Sequence, residues 1–259
     1  MTQVLVVTAV PAERDAVVAA FTAGAAREHL LPGGLAVHRC TGPGELVVDV
    51  VAAGVGPAAA AAGTATALTA AALRAAPADA ARPYDLVVSA GIGGGFTGAD
   101  AAGGPAAGAP AGAPVGSAVV ADAIVAADLG AQTPDGFLSV TQLGFGRDVH
   151  LPPPDLVAAL TAASGARAGA VLTGSTVTGS AARAAELAAR HPQALAEAME
   201  GFGVAEAAAA YGLPVAEIRT VSNPVGPRDR AAWRIGDALA ALTHTFTALP
   251  RALTTWRTP

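Results

Sequence analysis

The chain has 259 residues, is 53% hydrophobic, carries a net charge of -5 and takes all 15 of its basic residues from arginine. Its length suits one α/β domain with a sizeable core, spanning 1–259. Mild acidity and dispersed arginines argue against a nucleic-acid partner, which needs a basic face. The single cysteine, Cys40, allows no internal disulfide and no cysteine metal cluster, and makes the cytoplasm the expected compartment. VLVVTAV leads straight into PAERD, without the basic, apolar, small-residue order of a signal peptide. The abundant alanine reads as GC-rich codon bias, so alanine runs say little about position.

Val4 to Val7 is a β-branched run and reads as a central strand. Pro11, followed by Glu13 and Asp15, starts a helix to about Phe21. Leu46 to Ala52 is a second strand, and a long alanine helix follows Gly54-Val55-Gly56-Pro57 to about Ala76. This apolar stretch, 47–81, is broken by Gly54, Gly56, Pro57 and Arg74, so it reads as strand plus helix and no membrane association is expected. DLVVS (Asp85 to Ser89) is a third strand running into Gly91-Ile92-Gly93-Gly94-Gly95. Residues 98–114 are low-complexity Gly/Ala/Pro, expected to form a mobile surface loop, as a neutral insertion more than as a lid. Beyond them come a strand at Ala118 to Ala121 and a polar-aromatic excursion to Gly146. A helix near Asp155 to Ala163, a strand at Ala168 to Thr173 and a helix at Ala181 to Arg190 follow. The chain ends in a helix from Arg230 to about Leu249. Alternating strands and helices predict a mixed, mostly parallel central sheet flanked by helices in three layers.

The most informative stretch is AMEGFGVAEAAAAYGLPVAEIRTVSNPVG, 198–226. It sets Met199 and Glu200 at the mouth of a short helix that Gly212 stops. A strand, Pro214 to Val221, then delivers Ser222 and Asn223 to its carboxyl end, where ligands sit in open α/β sheets. Gly201-Phe202-Gly203 after Glu200 leaves backbone room for a ligand. Gly91 and Gly93 belong to a run that forms either a tight turn or a place where backbone approaches a sugar or anion. Glu13 is either a first-turn acid favoured by the helix dipole or a general base that activates water. Asn223 is either a turn residue before Pro224 or an amide offering a donor and an acceptor to a ligand.

Other chemistries find no support. The histidines form no HxxxH or HxH pair, so no metal is expected. No GxSxG occurs and Cys40 has no evident partner, which leaves no serine or cysteine nucleophile. The arginines at 219, 228, 230 and 234 read mostly as a solvated face, with Arg228 next to the proposed site.

The landmarks VVTAVPAERDAV, AAGVGPAAAAAGTATAL, DLVVSAGIGGGF, GSAVVADAIVAADLG, TGSTVTGS, AMEGFGVAEA and EIRTVSNPVGPRD, in that order, resemble the nucleoside phosphorylase/nucleosidase superfamily. They look most like its methylthioadenosine/S-adenosylhomocysteine nucleosidase group. Within that group, DLGAQTPDGFLSVTQLGFG, MEGFG and VSNPVG are most similar to the futalosine hydrolases, which cleave hypoxanthine from futalosine in the alternative menaquinone pathway. The resemblance implies a purine nucleosidase that needs no cofactor, with a small-molecule nucleoside as substrate. It implies that Met199 and Glu200 grip the ribose, Ser222 and Asn223 meet the base, and Glu13 and Asn223 are catalytic. Val177 stands where the adenine-specific relatives stack a phenylalanine on the base, and Thr178 beside it joins the substrate-binding set with Gly91, Gly93 and Phe202.

Several positions depart from that pattern. Ungapped register puts Ala12 at the catalytic position, with Glu13, the only nearby acid, one residue later. Asn223 replaces an aspartic acid. Ala198 replaces the first acid of Glu-Met-Glu, so Glu200 is expected to be the single carboxylate on the ribose. The resemblance further implies a homodimer in which Phe137 to Arg147 completes the neighbour's pocket. The alternatives are an adenine nucleosidase or a purine nucleoside phosphorylase, and, in another class, a non-catalytic nucleoside-binding module. A phosphorylase would need arginines around phosphate, and only Arg14 and Arg27 occur in the first 30 residues.

Overall fold

A computed structural model describes residues 1–21, 26–74, 83–97 and 112–256. β1 (Thr2–Thr8) and β4 (Leu46–Ala52) form where β-branched residues concentrate, and they pair in parallel with Val4 opposite Val48. On its other side β1 pairs in parallel with β5 (Leu86–Gly95). Leu5 and Val7 of β1 enter one apolar cluster, Val4 and Val6 another. A strand buried on both faces reads in this way as a continuous apolar run.

The first cluster is roofed by α2 (Pro57–Arg74) and α5 (Gly201–Ala210), through Leu68, Phe202 and Val204. The second is covered by α1 (Pro11–Ala19), α3 (Pro154–Ser164), α6 (Ile235–Ala248) and α7 (Pro250–Thr255), through Val17, Leu160, Phe246 and Leu253. This is the expected three-layer arrangement. A third cluster packs α4 (Ala181–Arg190) with Leu172, Leu187 and Val225.

The main sheet is mixed. It also contains β2 (Arg27–Leu30), β3 (Ala36–Gly42), β6 (Ala118–Ala126), β9 (Val149–His150), β10 (Arg167–Thr173), β11 (Ala194–Ala198) and β12 (Val215–Pro224). Its order is β11-β10-β6-β12-β5-β1-β4-β3-β2, with β9 on β6. β11 returns to pair antiparallel with the tip of β5, Glu197 opposite Gly94, so five strands close on themselves. A separate hairpin, β7 (Gly130–Thr133) and β8 (Gly136–Ser139), occupies the polar-aromatic excursion.

The structure corrects four expectations. β5 does not stop before the glycines: Gly91 to Gly95 continue as strand, paired with Arg219 through Pro224 of β12. The expected final helix from Arg230 is in fact a 3-10 turn (Arg230–Ala232), then α6, then α7 beginning at Pro250, so Trp233 lies outside the helices. Arg219 is not part of a solvated face but is fully buried. Strands β2, β3 and β11 were not anticipated. Of the Gly/Ala/Pro segment at 98–114, residues 98–111 lie outside the described residues.

Candidate active site

The carboxyl ends of β1, β5, β11 and β12 meet along one edge of the sheet. They wall a cavity of about 340 Å³ lined by Glu13, Gly93, Glu197, Met199, Glu200 and Asn223. Ser222, Val177 and Thr178 also line it. The sequence-predicted residues therefore converge, apart from Gly91 and Phe202. Phe202 packs in the core against His150, ring centroids 5.2 Å apart, and its backbone N–H donates to Thr173. Gly91 sits beneath Glu13.

Glu13 belongs both to its helix and to the cavity. Oε2 accepts from the backbone N–H groups of Ala9 (3.0 Å) and Val10 (3.2 Å), capping α1. Oε1 reaches across to the Ile92 N–H of β5 at 2.9 Å. That crossing needs Gly91, because a Cβ there would stand 2.6 Å from Glu13 Oε1 and 2.7 Å from Arg219 Nη1. Ala12 is exposed, so Glu13 is the acid that this turn carries inward. Burial pushes its carboxyl above the ordinary glutamate range, while Arg219 and the Ile92 N–H oppose the rise.

Glu200 occupies the N-cap position of α5, where the helix dipole favours a carboxylate, although its side chain makes no capping hydrogen bond. Oε1 accepts from the Gly56 N–H at 3.1 Å, and Oε2 lies 3.2 Å from Arg219 Nη1. Arg219 also donates to Glu217 (2.8 Å) and to Ser89 (3.0 Å). One buried guanidinium thus faces Glu200, Glu217 and, over Gly91, Glu13. Burial works against its charge, but Glu217, Glu200 and Glu13 together outweigh that and hold it firmly protonated. Burial raises Glu217, with Arg219 opposing, and Glu217 Oε2 has no hydrogen-bond partner. Arg219 and Glu217 are functional neighbours that sequence reasoning missed. The available signal was two opposite charges at i and i+2 in an otherwise apolar strand, hence on one face.

A bulge sets the positions of Ser222 and Asn223. Val221 pairs with Gly93 and Asn223 with Gly94, so two residues of β12 advance against one of β5. Ser222 Oγ lies 2.8 Å from Asn223 Oδ1 and 3.2 Å from the Gly93 carbonyl, either of which can take its proton. Asn223 Nδ2 donates to the Pro224 carbonyl at 2.8 Å, which uses one of its two N–H groups.

Glu197, from the strand that was not anticipated, lines the cavity alongside Glu200. Its oxygens accept from Thr178 N–H (3.0 Å) and Thr178 Oγ1 (2.6 Å), so Thr178 is spent on Glu197. Burial raises the Glu197 carboxyl and the Thr178 donors hold it down.

A second cavity, about 310 Å³, is walled by Arg39, Asp49 and Tyr84. There Asp49 is already used by Arg39 (2.8 and 2.7 Å) and the Tyr84 hydroxyl (2.7 Å), so that cluster is a closed structural network. Cys40 is buried, and burial with the Asp49 charge pushes its thiol up to about 11, away from nucleophilic reactivity. Among the described residues no helix is long and apolar enough to cross a membrane.

The sequence matches the family described as the Phosphorylase superfamily over residues 3–253. It is 62% identical to a futalosine hydrolase of Streptomyces coelicolor, over 98% of this chain and 97% of that one. It is 43% identical to a futalosine hydrolase of Acidothermus cellulolyticus, over 96% of this chain and 90% of the relative. A solved methylthioadenosine/S-adenosylhomocysteine nucleosidase of Colwellia psychrerythraea, in complex with adenine, superposes with a TM-score of 0.75 at 21% identity. It covers 99% of this chain and 98% of its own, a likeness of fold. By the family match and these near-full-length identities, the chain belongs to the phosphorylase superfamily.

Proposed function

We propose that this chain hydrolyses the N-glycosidic bond of futalosine, releasing hypoxanthine and dehypoxanthine futalosine, as a step of menaquinone biosynthesis by the futalosine route. The near-full-length identity to futalosine hydrolases supports the substrate. The observation that carries the chemistry is the convergence of Glu13, Glu200 and Asn223 on one cavity.

Cleavage moves the C1′–N9 electron pair onto the purine and leaves positive charge on the sugar. Asn223 donates towards N7 and the 6-oxygen as negative charge builds on the base. Its remaining Nδ2 hydrogen is available because Oδ1 is turned to Ser222. Glu200, held by Gly56 and Arg219, accepts from the ribose hydroxyls and faces the developing cation, with Met199 beside it. Water adds to C1′ as the C1′–N9 bond breaks, and Glu13 takes the water proton while the base gains one from its surroundings. The steps need no metal or organic cofactor.

A phosphorylase reading is disfavoured because, among the described residues lining the cavity, Arg228 is the one arginine, where a phosphate would need several. Incubation with futalosine, inosine and methylthioadenosine, followed by base detection, tests the reading. Hypoxanthine release fastest from futalosine supports it, and adenine release from methylthioadenosine alone refutes it.

The expected assembly is a cytoplasmic homodimer. Phe145, within the segment proposed to complete a neighbour's pocket, is 81% exposed, whereas Phe137 lies beneath Arg190 of its own chain at 4.4 Å. A fully active monomer in light scattering would contradict that arrangement.

A further inference from the structure

Glu13, Glu200, Glu217 and Arg219 form one buried cluster of three acids and a single cation, none of them more than 5% exposed. Glu13 and Glu200 line the cavity, and Glu217 does not. Glu217 stands two residues before Arg219 on β12, so both side chains project from one face of the strand. Its carboxyl lies against the first residue of α5, where a Cβ on Gly201 would collide with both of its oxygens.

The guanidinium is anchored at two nitrogens, and the third is the one turned to the cavity acids. Nε donates to Glu217 Oε1 at 2.8 Å and Nη2 to Ser89 Oγ at 3.0 Å. Nη1 faces Glu200 Oε2 at 3.2 Å and Glu13 across Gly91, yet makes no hydrogen bond to either. Those two acids are held by backbone N–H groups instead, Glu13 by Ala9, Val10 and Ile92, and Glu200 by Gly56 and Met199. An unanchored arginine would close on a neighbouring carboxylate with charge-assisted bonds. Here the bond to Glu217 stops it short.

We propose that Glu217 is a positioning residue that, without touching substrate, holds Arg219 short of a bond with Glu13 and so leaves Glu13 able to take a proton. This rests on the part given to Glu13 in the nucleosidase reading above. The charges that face Glu13 are Arg219 of β12 and Glu200 at the start of α5, and those that face Glu217 are the same two. Burial keeps the Glu13 carboxyl above the ordinary glutamate range, and Arg219 works against that rise. A full bond from Arg219 would bring the carboxyl down and make a weaker base.

The test compares wild type with Glu217→Gln, which removes the charge that anchors Nε. Glu217→Met, which leaves no polar atom to satisfy, serves if the glutamine variant is poorly folded. The Glu13 carboxyl is titrated directly by carbon-13 NMR of glutamate-labelled protein, its signal identified by loss in Glu13→Gln, and kcat/KM for futalosine is followed across pH. The Glu13 midpoint should fall by about half a pH unit or more in either variant, with the acidic limb of the rate profile moving alongside it. Glu217→Asp, which keeps the charge, should stay nearer to wild type. An unmoved midpoint, or a rate lowered equally at every pH, overturns the proposal and leaves Glu217 a structural residue only. If the midpoint falls but wild type releases no hypoxanthine, the nucleosidase reading has failed while the hold of Glu217 on Arg219 stands. If hypoxanthine is released and the midpoint does not move, only the role of Glu217 has failed.

Discussion

Arg219 Nη1 lies 3.2 Å from Glu200 Oε2; both side chains are buried, and Glu200 lines the cavity. The contact joins the strand that carries Ser222 and Asn223 to the start of α5. Because Glu217 leans on the same guanidinium, the carboxylates below the site depend on one cation. Removing one partner of a buried ion pair leaves the rest uncompensated. Arg219→Leu is therefore expected to destabilise the fold by on the order of 3–5 kcal/mol. Urea denaturation checks this, and a change below about 1 kcal/mol would show that the buried acids are neutral without Arg219.

Glu200→Gln should lower the rate far more than the stability, since its contact with the sugar strengthens as charge develops in the transition state. The loss should be on the order of 2–4 kcal/mol of barrier, by analogy with removal of an oxyanion donor. Turnover within about threefold of wild type would mean that Glu200 serves only as the cap of α5.

The raised Glu13 carboxyl sets a pH dependence. Acting as a base it must be ionised, so kcat/KM should climb with pH through a midpoint above the ordinary glutamate value of 4.5. The sign for stability is the opposite. A carboxyl raised in the folded state contributes stability that is fully present below its unfolded pKa and is lost as pH rises through its folded value. A pH-rate profile of wild type, with Glu13→Gln inactive throughout, checks the first statement. An acidic limb at or below 4.5 would show that Glu13 is not the group being titrated.

Much of the fold was legible because it rests on local pattern. β4 and α4 fall where β-branched runs and an unbroken helical segment place them, and Ser180 caps α4 by accepting from Arg183 N–H. β11 was hidden because ALAEA has no strand propensity. Its strand form comes from pairing with β10 and β5, a tertiary effect. Glu197 was missed with it. Arg219 was misread for a related reason. An arginine in sequence looks solvated by default, and only the sheet reveals that its neighbours are carboxylates from α1, α5 and β12. The glycine run was read as a possible turn because glycine weakens strands. Here it allows Glu13 to cross over Gly91.

Asn223→Asp should narrow the preference for the hypoxanthine nucleoside. A protonated acid can donate to N7 and still accept from a 6-amino group, which the fixed amide cannot do without losing the N7 donor. Wild type is expected to favour futalosine over its 6-amino analogue by up to about 10⁴-fold. Competition assays on both enzymes measure the gap, and equal wild-type rates on the two nucleosides would show that Asn223 does not read the base.

The most direct measurement is product analysis after incubating the purified protein with futalosine in the presence and absence of phosphate. The account predicts equimolar hypoxanthine and free dehypoxanthine futalosine, at a rate that phosphate does not change. Absence of hypoxanthine, or a sugar 1-phosphate whose formation rises in proportion to phosphate, would contradict it.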